Sequence, residues 1–520
     1  MMKIIFQIAF FSLLAVNSLG CIKNTANLPN SSVQAVTTSP SFPIIKGLSA
    51  NPVVRLAITI PDDNPEQQFK AIKGTINAAA INSIQQIDLH LTGAQPFVAG
   101  TPLVTIQPAA NFEAKFDRKF TPGVYFIWFS IVLKADAGID GKIELNCTEL
   151  INAAGKSIAV TKDETDHAKR IGVAVRKAGD NEVHTYRIPG LITTDQGTMI
   201  AVYDNRYTGT GDLPGNIDVG MSRSIDGGKT WEPMKVIMDM GTPHANNGVG
   251  DPAILFDPIA KRLWVAALWS KGNRSIAGSL PGLSPDTTGQ FVVVSSEDDG
   301  RTWTTPKSIT PQIKDPKWHI FFNGPGSGIT MQDGKLVFAA QYWDDAKMPY
   351  STIIYSEDRG ATWKGNILGP KSNTTESQVV ETTPGKLMLN MRDNRGRFRS
   401  VATTTNMGAT WTEHGTSYSV LPDPVCMGSF IKANVNVGST AKDILFFSNP
   451  NTSSGRYNMT IKASADLGET WPKINQLLID ERQCYGYSSL TRIDANTVGL
   501  LYEGTRDLYF VKVPVAELIK

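Results

Sequence analysis

The chain has 520 residues, 41% of them hydrophobic, and a formal net charge of only +2. That is apolar material for two or three globular domains, and so even a charge balance, without a long Lys/Arg run, gives no footing for nucleic acid. Four cysteines in this length are too few for a disulfide-stapled scaffold. Neither C-x-x-C nor H-E-x-x-H occurs, so no metal and no cofactor is expected.

At the N-terminus Lys3 precedes an apolar run from Ile4 to Val16 and then Asn17-Ser18-Leu19-Gly20-Cys21. This is the pattern of a secretory signal, residues 1–21. Gly20-Cys21 resembles a bacterial lipobox in which Cys21 takes a lipid, although Ser18 stands where that motif has Leu; an ordinary cleavage nearby is the alternative. The expected location is periplasmic or on the outer membrane, with secretion left open. The run is too short to span a bilayer. Residues 22–45 are rich in Asn, Ser, Thr and Pro without periodicity, the composition of a flexible tether. Cys147, Cys426 and Cys484 are expected as buried thiols, with a Cys426–Cys484 bridge left open.

Residues 46–160 carry alternating runs such as Val54-Arg-Leu56-Ala-Ile58-Thr-Ile60, Ile87-Asp-Leu89-His-Leu91 and Tyr125-Phe-Ile127-Trp-Phe129. Alternation broken by Gly, Pro, Asn and Asp predicts a small β-sandwich.

From residue 168 to 520 one phrase recurs. Ser224-Ile-Asp226-Gly-Gly228-Lys-Thr230-Trp231 has later copies at 296–303, 356–363, 404–411 and 464–471, all fitting S-x-D-x-G-x-T-W with Thr404 and Asn406 as conservative replacements. Ser and Asp bond their own backbone, Gly accepts positive φ, and Thr-Trp re-enters a strand with an apolar anchor, so the unit is a hairpin turn. Its third positions, 226, 298, 358, 406 and 466, are spaced by 72, 60, 48 and 60 residues, the size of one propeller blade with variable loops. The fold class is therefore all-β, a propeller preceded by the sandwich.

These repeats, with Tyr186-Arg187-Ile188-Pro189 before the first of them, resemble the Asp boxes and the Arg-Ile-Pro motif of the bacterial sialidases over residues 170–515. The resemblance implies six blades, one of which has lost its box, and a lectin-like sandwich ahead of them; a sandwich that only packs on the catalytic unit is the alternative. It implies an exo-sialidase acting on terminal sialic acids of glycoconjugates, working as a monomer. Arg187, Arg392 and Arg456 match the arginine triad that clamps the substrate carboxylate, a task suited to the planar, permanently charged guanidinium. Glu503 matches the carboxylate that supports the first arginine. Because sialic acid carries its own carboxylate beside the anomeric carbon, the family uses a neutral nucleophile, matched here by Tyr487, with Tyr485 as competitor. A phenol needs a base; Glu376 matches it, with Glu381 as alternative. Asp212, in a Gly/Thr loop, matches the acid/base, with Asp204 and Asp218 as rivals. Arg206 and Asp251 match positions that touch the sugar ring's substituents.

Three other readings compete: a non-catalytic sialoside-binding propeller, an arabinan-cleaving hydrolase on the same fold, and an intramolecular trans-sialidase. Two apparent motifs carry no chemistry. Gly228-Lys229-Thr230 has Arg223 where a P-loop needs its first Gly, and Gly324-Pro-Gly-Ser327-Gly lacks the glycines of a nucleophile elbow.

Overall fold

The computed structural model describes residues 32–94, 97–272 and 274–520. The leader, Cys21 and the start of the tether lie outside them. Among the described residues no helix is long and apolar enough to cross a membrane.

The N-terminal part is a two-sheet sandwich. One sheet orders strands Thr161–Lys162, Gln34–Thr38, Asn51–Ile60, Gly123–Leu133, Ile84–Thr92 and Val104–Ile106; the other includes Lys142–Asn152, Gln67–Ile76 and Asn111–Phe120. Inward residues such as Leu56, Ile58, Phe112 and Phe129 fill the space between them, as strand alternation requires. Trp128 is buried, its indole N–H donating to Gly93 O at 3.0 Å.

The tether expected over 22–45 gives way to structure from residue 34. Gln34–Thr38 pairs antiparallel with Asn51–Ile60, and Ile44–Lys46 pairs parallel with Ala168–Arg176. The inward residues of the first strand, Ala35 and Thr37, are small, so their alternation leaves little hydrophobic signal.

Six radial sheets follow. Blades one to five are built around the inner strands Thr185–Thr193, Val249–Asp257, Ile320–Asn323, Thr374–Thr383 and Ser429–Val437. Blade six runs Ser488–Asp494, Thr497–Glu503, Leu508–Pro514, and takes its outer strand, Ala168–Arg176, from the other end of the chain. That strand is shared: residues 172–176 pair with blade six and residues 168–170 with the sandwich strand Lys142–Asn152. One sheet therefore continues from the propeller into the sandwich.

This closure corrects the idea of a lost box. In blades one, two, four and five the box joins the third strand to the fourth, and in blade three it leads from the third strand to the single bridge Tyr355–Lys364. In blade six the third and fourth strands come from opposite ends of the chain, so no such turn exists. Where it exists, the turn repeats closely. Ser224 Oγ and Thr230 Oγ1 donate to Asp226, whose Oδ1 also takes the Thr230 N–H at 2.9 Å, and Gly228 sits at φ +85°. Each box Trp packs into the core shared with the preceding blade: Trp303 with blades one and two, Trp363 with two and three, Trp411 with three and four, Trp471 with four and five. Trp231 stands edge-on to Phe510 of blade six, 5.5 Å between ring centres.

Candidate active site

The inner strands converge at one end of the propeller axis, and three of them are bulged where a candidate residue sits. Pairing slips between Arg187 and Gly190, between Gly250 and Ala253, and between Thr374 and Ser377. A bulge re-aims side chains and ends the ladder. Ile188 and Asp251 hold φ of +55° and +58°, costly for side-chain-bearing residues and for a β-branched one above all. Each is clamped by a buried carboxylate: Ile188 N–H donates to Glu503 Oε1 at 2.9 Å, and Asp251 N–H to Asp204 Oδ1 at 2.8 Å.

Arg187, Asp212, Asp251, Glu376, Arg392, Arg456 and Tyr487 line one cleft of ≈ 240 Å³. Glu503 and Arg206 stand behind its wall with side chains 0% and 2% exposed. Tyr487 Oη donates to Glu376 Oε1 at 2.5 Å, and Arg392 Nη1 reaches Glu376 Oε2 at 2.6 Å and Tyr487 Oη at 3.0 Å. Burial, then the charge of Glu376, pushes the Tyr487 phenol well above its usual value, and Arg392 and Arg187 offset this only in part. Arg187 binds Glu503 through Nε at 3.1 Å and lies over the rings of Tyr485 and Tyr487, 4.7 and 5.2 Å from their centres. Glu503 also accepts the Tyr487 N–H at 2.8 Å, so one carboxylate fixes both the arginine and the tyrosine backbone. Arg456 is held by the carbonyls of Tyr485 and Val425, at 2.8 and 3.0 Å.

Asp212 reaches in from its loop with its side chain 69% exposed, Oδ1 2.7 Å from Arg206 Nη1 and 3.7 Å from Arg187 Nη1. Loss of solvent in the cleft pushes its carboxyl up, but Arg206, Arg187 and Arg392 together overcome this and hold it below the usual carboxylate range. Asp251 goes the other way: burial first, then Asp204, Asp212 and Glu376, raise it well above.

The rivals sit elsewhere. Glu381 accepts backbone N–H groups from Gln332 and Gly385, each at 2.8 Å. Tyr485 lends its ring to Arg187 and its carbonyl to Arg456. Asp218 is buried, and burial and then Asp239 raise it to about 6. Asp204 is wholly engaged by Arg206 and Asp251. The three thiols are free and buried, with no Cys426–Cys484 bridge. Among the described residues no cluster of three or more His, Cys, Asp or Glu could hold a metal.

Sequence reasoning missed the remaining wall: Ile276, Phe322 and Trp343 on an apolar side, with Gln341, Thr375 and Asn394. The Gly-Pro-Gly-Ser-Gly stretch was the available signal. It follows directly on the inner strand Ile320–Asn323 of blade three, which carries Phe322, and a Cβ on Gly324 would come within 2.5 Å of Ser377 O.

Comparison with known proteins shows the family. Residues 188–495 match the BNR repeat-like domain, and residues 31–156 match the N-terminal domain of BNR-repeat neuraminidase. A sialidase from Bacteroides fragilis is 44% identical over 79% of this chain and 77% of its own length. The chain belongs to the BNR-repeat sialidases. A second sialidase, from Micromonospora viridifaciens, is 34% identical over 61% of this chain and 50% of its own. The solved structure of the Hadza microbial sialidase Hz136 superposes with a TM-score of 0.85 at 38% identity, covering 93% of this chain and all of that one. As a sialidase it is a glycoside hydrolase that acts on sialylated glycans, and the arabinan-cleaving and non-catalytic readings are set aside.

Proposed function

We propose that this sialidase releases terminal sialic acid with retention, through a covalent bond to Tyr487. The observation that carries the reading is the 2.5 Å contact of Tyr487 Oη with Glu376, beside Arg187, Arg392 and Arg456 in one cleft. The three guanidinium groups hold the substrate carboxylate, with Glu503 fixing Arg187. Asp251, on the cleft wall, faces the ring substituents, and Arg206 lies behind that wall between Asp204 and Asp212.

Tyr487 Oη attacks the anomeric carbon as the bond to the leaving oxygen breaks. Glu376 takes the phenol proton, and protonated Asp212 gives its proton to the leaving oxygen. Asp212 then takes a proton from water, the water oxygen displaces Tyr487, and the phenol recovers its proton from Glu376. A neutral nucleophile avoids driving a carboxylate against the substrate's own negative charge. Arg206, Arg187 and Arg392 hold the Asp212 carboxyl below its usual range, so the acid role needs that pull to weaken. A carboxylate placed among the arginines weakens their pull and raises Asp212.

Incubation with sialyl-lactose tests this, with products identified by mass. Free sialic acid from wild type and a loss of at least ~10³-fold for Tyr487→Phe support the reading. An anhydro-sugar product identifies intramolecular transfer instead, and unchanged turnover by the variant rejects Tyr487 as nucleophile. The leader and Gly20-Cys21 further support export with a lipid tether, which Cys21→Ser would release. A monomer is sufficient for the site, since all nine of these residues come from one chain.

A further inference from the structure

Asp212 is the middle of a row of alternating charges. Glu503 binds Arg187, Arg187 faces Asp212, Asp212 faces Arg206 at 2.7 Å, and Arg206 binds Asp204 through Nε and Nη2 at 3.1 and 2.8 Å. The two ends of the row are built alike. Glu503 ends the second strand of blade six, and Asp204 lies near the end of the second strand of blade one. Each is a buried carboxylate that accepts the N–H of the positive-φ residue on the next blade's inner strand, Ile188 or Asp251, and each pins one arginine. Arg206 has a third anchor, Nη1 donating to Thr210 O at 2.8 Å in the Asp212 loop itself. Asp251 is gripped from its other side by Asn323 Nδ2, 2.6 Å from its carbonyl.

We propose that Asp204 is a positioning residue for the acid/base: through Arg206 it fixes where the Asp212 loop docks and how much positive charge the Asp212 carboxylate meets, as Glu503 does through Arg187. The inference rests on Asp212 acting as the acid. Without Asp204, Arg206 is neutralised by Asp212 alone, and its grip on that carboxylate tightens. Without Arg206, Asp212 keeps only the longer contact to Arg187. The other charged groups facing this row are Asp251 on blade two and Glu376 and Arg392 on blade four; the variants below leave them untouched.

The test is the pH dependence of kcat/KM on sialyl-lactose, whose alkaline limb reports the acid in the free enzyme. Asp204→Asn keeps an oxygen for the Asp251 N–H while removing the charge, and should move that limb to lower pH by roughly one unit. Arg206→Gln should move it to higher pH by a similar amount. A structural role for Asp204 would lower activity or Tm and leave the limb in place, so an unshifted limb, or shifts of the same sign, overturns the proposal. If Asp204→Asn does not fold, Asp204→Ser takes its place, and an unshifted limb there overturns the proposal; Arg206→Gln checks only the sign of the direct Arg206–Asp212 link. A wild type that releases no sialic acid would defeat the functional reading itself, a result distinct from active variants with unmoved limbs.

Discussion

In the proposed mechanism Tyr487 starts as the phenol whose proton Glu376 will take, whereas Asp212, the proposed acid, starts without the proton it has to give. The phenol is held protonated by burial and Glu376, and the Asp212 carboxyl is held ionised by arginines. The sign of the expected pH behaviour follows. Substrate adds a negative charge beside Arg187, Arg392 and Arg456, their hold on Asp212 weakens, and its pKa rises in the complex. Because kcat/KM reports the free enzyme and kcat the complex, the alkaline limb of kcat should lie at higher pH than that of kcat/KM. Steady-state rates on sialyl-lactose across pH check this, and coincident limbs would contradict it. Most of these residues were legible in sequence because each sits in a short signature: Arg187 in Arg-Ile-Pro, Tyr487 in Tyr-Ser-x-Leu, Arg392 sixteen positions after Glu376. Trp343, Phe322 and Gln341 were not, since a strand-end aromatic or amide looks the same whether it faces a core or a cleft. Asp204 was legible only as a rival acid. Its engagement with Arg206 and the Asp251 N–H appears once two blades are side by side.

Among the elements, the Asp-box turn was read most completely from sequence. Its Ser, Asp, Gly and Thr perform the bonds that their chemistry suggests, and Asn406 replaces the aspartate in box four while keeping the Thr410 N–H bond at 2.9 Å. Gly360 is bound by two constraints, φ +88° and a site where a Cβ would lie 2.2 Å from the Trp264 ring. Gly385 shares only the first, with φ +75° and open space around it. Gly385→Ala should therefore cost about 1 kcal/mol of backbone strain, whereas Gly360→Ala should cost about 3 kcal/mol or more by also displacing a packed indole. Thermal unfolding of the two variants checks the order, and equal losses would show that the interblade packing yields easily. The bulges were illegible for the opposite reason. Those at Ile188 and Asp251 depend on which buried carboxylate meets a backbone N–H, and that carboxylate lies on another blade.

At the scale of the whole molecule the domain boundary was the least legible feature. A polar tether and a separate sandwich fit the local composition, but strand Ala168–Arg176 belongs to both sheets, and one apolar core joins Ile58, Phe129 and Ile143 of the sandwich to Tyr186, Tyr203 and Phe510 of the propeller. Polar ties cross the same junction. Lys46 Nζ donates to Lys229 O in the first box at 2.6 Å, and Arg170 pairs with Glu517 at 2.7 Å. A chain starting at residue 177 loses the outer strand of blade six and bares this core, so it should be insoluble or unfold far below the full chain. A soluble, active truncation with unchanged Tm would show that the sandwich is dispensable.

The proposed chemistry is two displacements at one carbon, first by Tyr487 and then by water. Proton NMR during sialyl-lactose hydrolysis, recorded faster than the free sugar mutarotates, reads this directly from the first anomer formed. The α-anomer should appear first and then decay toward the equilibrium mixture. If the β-anomer appears first, a single direct attack by water has occurred, and the covalent role of Tyr487 is wrong.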